Sequence, residues 1–227
     1  MRLFVAILSL TFFATYASAM SVSDLSDTDA SKGLKEALIQ GANKAVTKLG
    51  AVDGFMGNPE VKIPLPDSLK KTERIMHVLG MGKQADELVL RMNRAAEAAV
   101  PEAKGLLIDS VKKMSVDDAK NILTGGDDAA TQYFKKVTSG PMGEKFLPIV
   151  KKATQDVALA KQYNKFAAMG SQYGLVKKDQ VNLEQYVTQK TLDGVYLMMA
   201  EEEKTIRQNP MAAGTSLVKK VFGALAH

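Results

Sequence analysis

“MNRAAEAAVPEAK”, residues 92–104, surrounds Asn93, Arg94 and Glu97 with five alanines and then places a proline where a helix would continue. At about 100° per residue, one face of this helix is entirely apolar: Leu88, Met92, Ala95 and Ala99. Alanine side chains let neighbouring helices approach closely. The pattern therefore predicts a central helix of an α-helical bundle, which Pro101 kinks or breaks because it removes one backbone donor.

The same three- and four-residue spacing of apolar residues runs through most of the chain, which predicts an all-α protein. We expect a single-domain irregular helical bundle of seven to nine helices, including helices up to Leu79 and over 84–114, 183–208 and 215–224. The longest irregular stretch is “AVDGFMGNPEVKIPLPD”, which holds three prolines. Because residues before proline avoid the helical region, this stretch predicts an extended Pro-rich strap near residues 50–66.

Capping and breaking residues predict where several helices begin and end. Ser115 with Asp118 indicates a capping box that opens a short helix to Leu123, and Asn182 indicates the cap of the long helix over 183–208. Asp128 predicts the cap of a helix that ends at Val137. The stretch 140–143 (Gly140, Pro141 and Gly143) predicts a break, and Pro148 predicts the first turn of a new helix. A loop is expected over 170–181.

The first nineteen residues have the pattern of a secretory signal peptide. Arg2 is followed by the apolar run “LFVAILSLTFFA” and by “ASA”, a cleavage site that ends at Ala19. The apolar run is about a dozen residues long, which is too short for a spanning helix of about 20 residues. We expect a signal peptide at 1–19, one all-α domain at 20–227, no transmembrane span and a periplasmic or extracellular location.

The composition argues against several kinds of site. The chain has no cysteine and only two histidines, so thiolate chemistry is excluded and we expect no metal and no cofactor. The net charge of +5 is carried by lysine pairs scattered over the helices, and aromatic residues make up only 6%. Nucleic-acid binding requires a concentrated basic stripe, so it is not expected. No G-x-S-x-G motif occurs and neither histidine has an evident triad partner, so we assign no catalytic residue.

Two groups of polar residues have the spacing of ion pairs on helices. Arg94 and Glu97 are three residues apart, and Glu203 and Arg207 are four apart. Polar groups on central helices need partners. We therefore expect Asn93, Arg94 and Glu97 to meet Glu203 and Arg207 in one polar network. This network is either a clamp that fixes the register of the helices or a binding site.

A rival hypothesis is catalytic. “EEEK”, residues 201–204, offers carboxylates that could face Glu97, and a carboxylate-based hydrolase would use Glu97 with Glu202 or Glu203. Consecutive helix residues fan out by about 100°, so the three glutamates of the stretch face different directions. The absence of other catalytic motifs favours a non-enzymatic binding or interaction module over this hydrolase.

Methionines indicate a second kind of candidate site. Met92, Tyr196 and Met199 predict the lining of an apolar cavity, and filling of the core is the alternative for the same residues. The expected partners are therefore an apolar small molecule or a protein of the cell envelope. Lysine-rich helix faces leave peripheral contact with an anionic membrane surface open as a third possibility.

Several motifs together resemble a secreted bacterial family known as domain of unknown function 4197. They are “GLKEAL”, “IPLPDSL”, “MNRAAEAAVPEA”, “GGDDAATQYF”, “FLPIV”, “LEQYVTQKTLDGVY” and “EEEKTIRQNP”, and they follow one another over nearly the whole mature chain. The resemblance implies a helical periplasmic or surface protein. It implies no activity, cofactor or catalytic residue.

Overall fold

The computed structural model describes residues 26–67, 82–158, 160–161, 163–164, 182–210 and 215–225. Within these ranges the regular structure is helical and no strand occurs, so the predicted all-α class is confirmed. The predicted signal peptide, most of the helix predicted up to Leu79 and the loop predicted over 170–181 lie outside the described residues. The total of seven to nine helices concerns the whole chain and stays a prediction.

Helices follow one another along the described ranges, with short turns or irregular segments between them. In chain order they are α1 (Asp27–Gly50), α2 (Gly82–Ala99), a 3₁₀ turn (Val100–Glu102), α3 (Ala103–Lys113), α4 (Val116–Leu123), α5 (Ala129–Thr154), α6 (Leu183–Gln208) and α7 (Ser216–Leu225). None of the helices in these ranges is sufficiently long and apolar to cross a membrane.

Helix α1 contacts α3, α4, α6 and α7. The Ser26 side chain caps it by accepting a hydrogen bond from the N–H of Asp29 at 3.1 Å. Its apolar residues recur every three or four positions and are buried: Leu34, Leu38, Ala42, Ala45 and Leu49. Gly33 permits the contact with α7, because a Cβ at this position would lie 2.5 Å from Cγ2 of Val221.

Pro101 lies in a 3₁₀ turn that interrupts the α-helix, while the backbone stays right-handed helical at Ala99 and Ala103. Helix α2 ends at Ala99, the 3₁₀ turn contains Pro101, and α3 begins at Ala103. The turn also meets the end of α1, because a Cβ at Gly50 would lie only 3.2 Å from Cγ of Pro101. The 3₁₀ turn therefore lies where two elements come into close contact.

Helix α4 begins as predicted, with a reciprocal capping box. The hydroxyl of Ser115 accepts a hydrogen bond from the N–H of Asp118 at 3.0 Å, and Oδ2 of Asp118 accepts one from the N–H of Ser115 at 3.0 Å. The hydrogen bonds from Ser115 hold the pKa of Asp118 below its ordinary value.

Helix α5 runs without interruption through both of its prolines, so the predicted break at 140–143 and the predicted new helix at Pro148 are wrong. One face of α5 buries a residue about every fourth position: Phe134, Thr138, Met142, Phe146 and Val150. Pro141 and Pro148 are exposed. The carbonyl groups that lose their helical donors belong to the exposed residues Val137 and Glu144, and water can reach them. Burial of the opposite face therefore outweighs the local cost of the prolines.

Helices α5 and α6 pack side by side in antiparallel directions. Thr131 of α5 contacts Glu203 of α6, and Thr138, further along α5, contacts Tyr196. The residue numbers on α6 therefore fall as those on α5 rise. Helix α6 is capped by Asn182, as predicted, since its side chain accepts from the N–H of Gln185 at 3.0 Å.

The 51–66 segment joins α1 to the next part of the chain and lies against α2 and α6. It contains turns as far as residue 61 and no regular structure from 62 to 66. Phe55 and Ile63 are fully buried. Gly194 on α6 makes room for Phe55, because a Cβ there would lie 2.7 Å from Cε1 of the Phe55 ring.

Candidate functional site

Glu97 connects α2 to the 51–66 segment. Its Oε1 accepts hydrogen bonds from the backbone N–H groups of Phe55 and Met56, both at 3.1 Å. Its Oε2 accepts from Nη1 of Arg94 at 2.6 Å, which confirms the predicted pair of Arg94 and Glu97. The side chain of Glu97 is only 5% exposed. Both carboxylate oxygens of this buried group are therefore satisfied, as burial of a charge requires.

Asn93 and Arg94 extend this contact in two directions. The Asn93 amide accepts from the N–H of Ile63 at 2.8 Å and donates to the carbonyl of Ile63 at 2.9 Å, so it matches both groups of one residue. Nη2 of Arg94 donates to Oδ1 of Asp53 at 2.7 Å. Hydrogen bonds to Glu97 and Asp53 raise the pKa of Arg94 above its ordinary value. We call Asn93, Arg94 and Glu97 the Glu97 cluster.

Glu203 connects α6 to the beginning of α5. Its Oε1 accepts from the N–H of Ala130 at 2.9 Å, and its Oε2 accepts from the N–H and the hydroxyl of Thr131, both at 2.9 Å. These N–H groups belong to the first turn of α5, where the helix dipole favours a negative charge. Asp128, which was predicted to cap α5, makes no capping hydrogen bond. The distant Glu203 takes that role.

Arg207 completes this second group, which we call the Glu203 cluster (Glu203 and Arg207). Nη2 of Arg207 donates to Oε1 of Glu203 at 2.9 Å, which confirms the predicted pair. It also donates to the carbonyl of Ile122 near the end of α4 at 2.8 Å. The guanidinium lies 5.8 Å from the centre of the Phe222 ring on α7. One ion pair therefore ties α6 to α4, α5 and α7.

The prediction of one polar network is wrong. The Glu97 cluster faces the 51–66 segment, whereas the Glu203 cluster faces the beginning of α5, and no hydrogen bond or ion pair joins the two among the described residues. The physical reason is that each carboxylate binds the nearest unpaired backbone N–H groups, and those groups belong to different elements. Whether either cluster binds a ligand stays a prediction.

The carboxylates named in the hydrolase hypothesis are engaged elsewhere. Glu202 forms an ion pair with Lys44 of α1 at 3.2 Å. Glu97 and Glu203 each have both oxygens occupied by donors of the chain itself. General acid–base chemistry needs two carboxyl groups that face each other across a space open to substrate. The contacts of these residues argue against that arrangement.

The residues predicted to line an apolar cavity are largely packed. Met92 is fully buried in the core. The Tyr196 hydroxyl lies 2.9 Å from the hydroxyl of Thr138 and accepts a hydrogen bond from Ser139 at 3.1 Å. Met199 borders a void between α1, α5 and α6 with a volume of about 20 Å³. A space of this size holds about one water molecule, so it is far too small for an apolar ligand.

A larger cavity lies between the 51–66 segment and α6, and we call it the α6 cleft. Its volume is about 230 Å³. One wall is formed by residues between Glu60 and Asp67, and the other by residues of α6 at helical spacing: Tyr186, Lys190, Asp193, Gly194 and Leu197. The Tyr186 hydroxyl donates to the carbonyl of Pro64 at 3.1 Å, which fixes the two walls relative to each other.

The lining of the α6 cleft combines charged and apolar groups. Leu197 is 41% exposed although it is a large aliphatic residue. Nζ of Lys190 lies 3.7 Å from Oδ2 of Asp193 and 6.0 Å from the centre of the Tyr186 ring. The α6 cleft is therefore a mixed surface, on which an exposed aliphatic side chain stands beside charged groups.

Glu60, at one end of the cleft, lies close to Glu201 of α6. Burial raises the pKa of Glu201 above its ordinary value, and the charge of Glu60 and a hydrogen bond between the two side chains raise it further. Lys48 lowers this pKa and Glu202 raises it by smaller amounts. The interaction of Glu201 with Glu60 is therefore less favourable when Glu201 is ionised.

Sequence reasoning named Glu97, Glu203 and Arg207 but missed the α6 cleft. The only available signal was the spacing of Tyr186, Lys190, Asp193 and Leu197, which places them on one side of α6. The opposite wall has no periodicity that would have assigned it to the same surface. Among the described residues no group of three or more His, Asp or Glu side chains has the arrangement of a metal site.

Comparisons with known proteins identify a family and nothing more specific. No curated protein and no solved structure matches the chain. The family model described as “Protein of unknown function (DUF4197)” matches residues 24–223, which include both polar clusters and the α6 cleft. Because this match covers most of the chain, the protein belongs to the DUF4197 family.

Proposed function

We propose that this protein is a non-enzymatic interaction module, secreted or periplasmic, that binds a polypeptide segment of a cell-envelope partner in the α6 cleft. The observation that carries the proposal is the α6 cleft itself, a cavity of about 230 Å³ whose lining is both charged and apolar. The signal-peptide pattern of residues 1–19 supports the location.

The dimensions of the cleft support an extended peptide as its ligand. From Tyr186 to Leu197 the α6 wall is about 16 Å long at 1.5 Å per residue, which is the length of about five extended residues. Pro64 in the opposite wall has no N–H group, and the N–H groups of Val61 and Lys62 already donate to the carbonyl of Asn58. Recognition therefore relies on side chains rather than on the addition of a strand.

An apolar small molecule is the weaker of the two predicted ligands. Five of the residues that line the α6 cleft carry charges: Glu60, Lys62, Asp67, Lys190 and Asp193. An apolar molecule would exclude water from these groups and would offer them no hydrogen bonds in return. A peptide with charged and aliphatic side chains pairs with the rim and covers Leu197 at the same time.

We also propose that residues 20–227 form one bundle of seven to nine helices and that the 51–66 segment is its structural strap. The hydrogen bonds from Phe55, Met56 and Ile63 to the Glu97 cluster support this role. In this proposal the Glu97 cluster is a clamp that sets the position of one cleft wall. The Glu203 cluster is a second clamp, which holds the beginning of α5.

Site-specific photo-crosslinking tests the binding surface. A photoreactive residue at Leu197 is compared with the same residue at Val116 on α4, which is 47% exposed and lies outside the cleft. We expect an envelope protein to be captured from Leu197 but not from Val116. The captured protein is then purified and its affinity is measured. Leu197→Asp should weaken binding at least tenfold and Val116→Asp should leave it unchanged.

Two outcomes would contradict the proposal. One is that the two positions capture the same proteins or none, and the other is that Leu197→Asp binds the purified partner as tightly as the parent chain does. Secretion is tested separately by fractionation of the producing cell and by determination of the mature N-terminus. We expect the mature chain to begin at Met20, and retention of residues 1–19 in the cytoplasm would refute the proposed location.

A further inference from the structure

One end of the α6 cleft is held together by a neutral hydrogen bond. The Tyr186 hydroxyl donates to the carbonyl of Pro64 at 3.1 Å, so the α6 wall is joined to the opposite wall there. A phenol and a backbone carbonyl carry no charge in the pH range in which carboxyl groups titrate. The two walls are therefore joined at this end throughout that range.

The other end of the cleft lies at Leu197, which is eleven residues beyond Tyr186 on α6, and at Glu60 in the opposite wall. Glu60 stands on a turn that Asn58 fixes. The side-chain oxygen of Asn58 accepts from the N–H of Glu60 at 3.1 Å, and its carbonyl accepts from the N–H of Lys62 at 2.9 Å. The backbone of this wall is thus fixed, whereas the side chain of Glu60 is exposed and can turn.

Glu201 faces Glu60 at this end of the cleft. At about 100° per residue, Glu201 points within about 40° of Leu197, and it lies about 6 Å further along α6. It is partly buried and shares a side-chain hydrogen bond with Glu60. A hydrogen bond between two carboxyl groups requires a proton on one of them. The contact that joins the two walls here therefore exists only while that proton is bound.

The surroundings of Glu201 favour this proton. Burial, followed by the charge of Glu60, raises the pKa of Glu201 above its ordinary value. Of the other charged groups that act on it, Lys48 of α1 lowers this pKa and Glu202 raises it by smaller amounts. Glu202 is itself paired with Lys44 of α1 at 3.2 Å. Glu201 therefore keeps its proton to a higher pH than an isolated glutamate does.

We propose that Glu60 and Glu201 form a proton-dependent latch, which joins the two walls of the α6 cleft at the Leu197 end in acid and releases them near neutral pH. When the proton passes to water, two carboxylates are left in contact, and their repulsion turns the exposed Glu60 side chain away. The cleft then opens at this end, while the hydrogen bond of Tyr186 to Pro64 persists at the other. The latch controls access to the cleft whatever binds there, so it does not depend on the proposed function.

Paramagnetic relaxation measured by NMR tests the latch. The mature chain carries ¹³C-labelled leucine and valine methyl groups, and a soluble nitroxide reports how well solvent reaches each of them. Between about pH 4 and about pH 8 the relaxation of the Leu197 methyl groups should rise about twofold, with a midpoint above that of an isolated glutamate. Val116 of α4, which is 47% exposed and lies outside the cleft, is the internal control and should not change.

Three variants separate the latch from other effects of pH. Glu201→Gln has no proton to lose and can donate an N–H to Glu60 at every pH, so Leu197 should stay covered. Glu60→Lys should keep Leu197 covered near neutral pH, because an ion pair with the ionised Glu201 replaces the shared proton. Glu87→Lys makes the same change of charge on an exposed residue of α2, and Leu197 should then respond to pH as it does in the parent chain.

Dispersed methyl signals show that each variant is folded at both ends of the pH range. Relaxation of Leu197 that does not change with pH in the parent chain would overturn the latch. The same holds for a change that persists in Glu201→Gln with the same midpoint. An effect of Glu87→Lys as large as that of Glu60→Lys would also overturn it, because the net charge rather than the contact would then be responsible.

Discussion

Oε1 of Glu97 accepts a hydrogen bond from the backbone N–H of Phe55 at 3.1 Å, although the two residues are 42 positions apart along the chain. The same oxygen accepts from the next N–H, that of Met56. A buried carboxylate is costly unless it is paired, and an unpaired backbone N–H is costly as well. Each group therefore removes the cost of the other, and the 51–66 segment is held in place on α2.

Replacement of Glu97 measures this contact. Glu97→Ala leaves two N–H groups without an acceptor and should lower the free energy of unfolding by about 3 kcal/mol. Glu97→Gln keeps an acceptor and should cost about 1 kcal/mol. Urea unfolding provides the values. Glu87→Ala is the control, because Glu87 forms an exposed pair with Arg91 and should cost less than about 0.5 kcal/mol. A Glu97→Ala variant as stable as the control would refute the clamp.

Because the two polar clusters are separate, substitutions in them should have additive effects on the free energy of unfolding. The effects of Glu97→Gln and Glu203→Gln on the free energy of unfolding should add to within about 0.5 kcal/mol, because the residues share no partner. Glu203→Gln and Arg207→Gln should instead show a coupling of about 1 kcal/mol, since these two side chains are bonded directly. If the coupling between Glu97 and Glu203 is as large as that between Glu203 and Arg207, the two clusters form the single polar network that the sequence predicted.

Two glycines inside helices are expected to respond to alanine in opposite directions. Gly105→Ala should raise the free energy of unfolding by about 0.5–1 kcal/mol, because a Cβ there meets no atom within 4 Å and alanine favours the helix. Gly194→Ala should lower it by about 1–3 kcal/mol, because the new Cβ would lie 2.7 Å from the Phe55 ring. Thermal unfolding of both variants checks the prediction, and a stabilised Gly194→Ala would show that Phe55 is not packed against α6.

The contact of Glu201 with Glu60 predicts a dependence of stability on pH. Burial, followed by the charge of Glu60, raises the pKa of Glu201 in the folded state. The folded protein therefore binds this proton more tightly than the unfolded chain does. This contribution to stability falls as the pH rises from the pKa of the unfolded chain through the higher pKa of the folded protein.

Glu201→Gln should remove that part of the pH dependence and should stabilise the protein at neutral pH relative to the parent chain. Glu60→Gln should have the same direction of effect, because it removes the charge that faces Glu201. Urea unfolding at a series of pH values measures both. A parent chain whose pH dependence is unchanged by either substitution would contradict the assignment to this pair.

Some of the structure followed from the sequence because it depends on residues only a few positions apart. Asn182 caps α6 and Ser115 with Asp118 caps α4, as their spacing indicated. The pairs Arg94–Glu97 and Glu203–Arg207 also form as predicted, since one turn of helix brings their side chains together. The periodicity of apolar residues was enough to predict the all-α class.

Predictions of helix ends from neighbouring residues were wrong where contacts with distant parts of the chain were stronger. Gly140, Pro141 and Pro148 predicted a break in α5, yet the helix continues because its other face is buried against α2 and α6. Asp128 had the right residue type and position for a cap, but Glu203 supplies the acceptor from α6. In both cases the contact that decided the outcome came from a helix remote in sequence.

The sequence by itself therefore determined the helical class, most helix ends and the two ion pairs, because each rests on geometry within a turn or two of one helix. Only the tertiary structure decided that Glu97 binds the backbone at Phe55 and that Glu203 caps α5. It alone formed the α6 cleft. The physical reason is that a buried carboxylate pairs with whichever unpaired N–H groups the packing brings to it, and a cleft exists only once its two walls have been brought together.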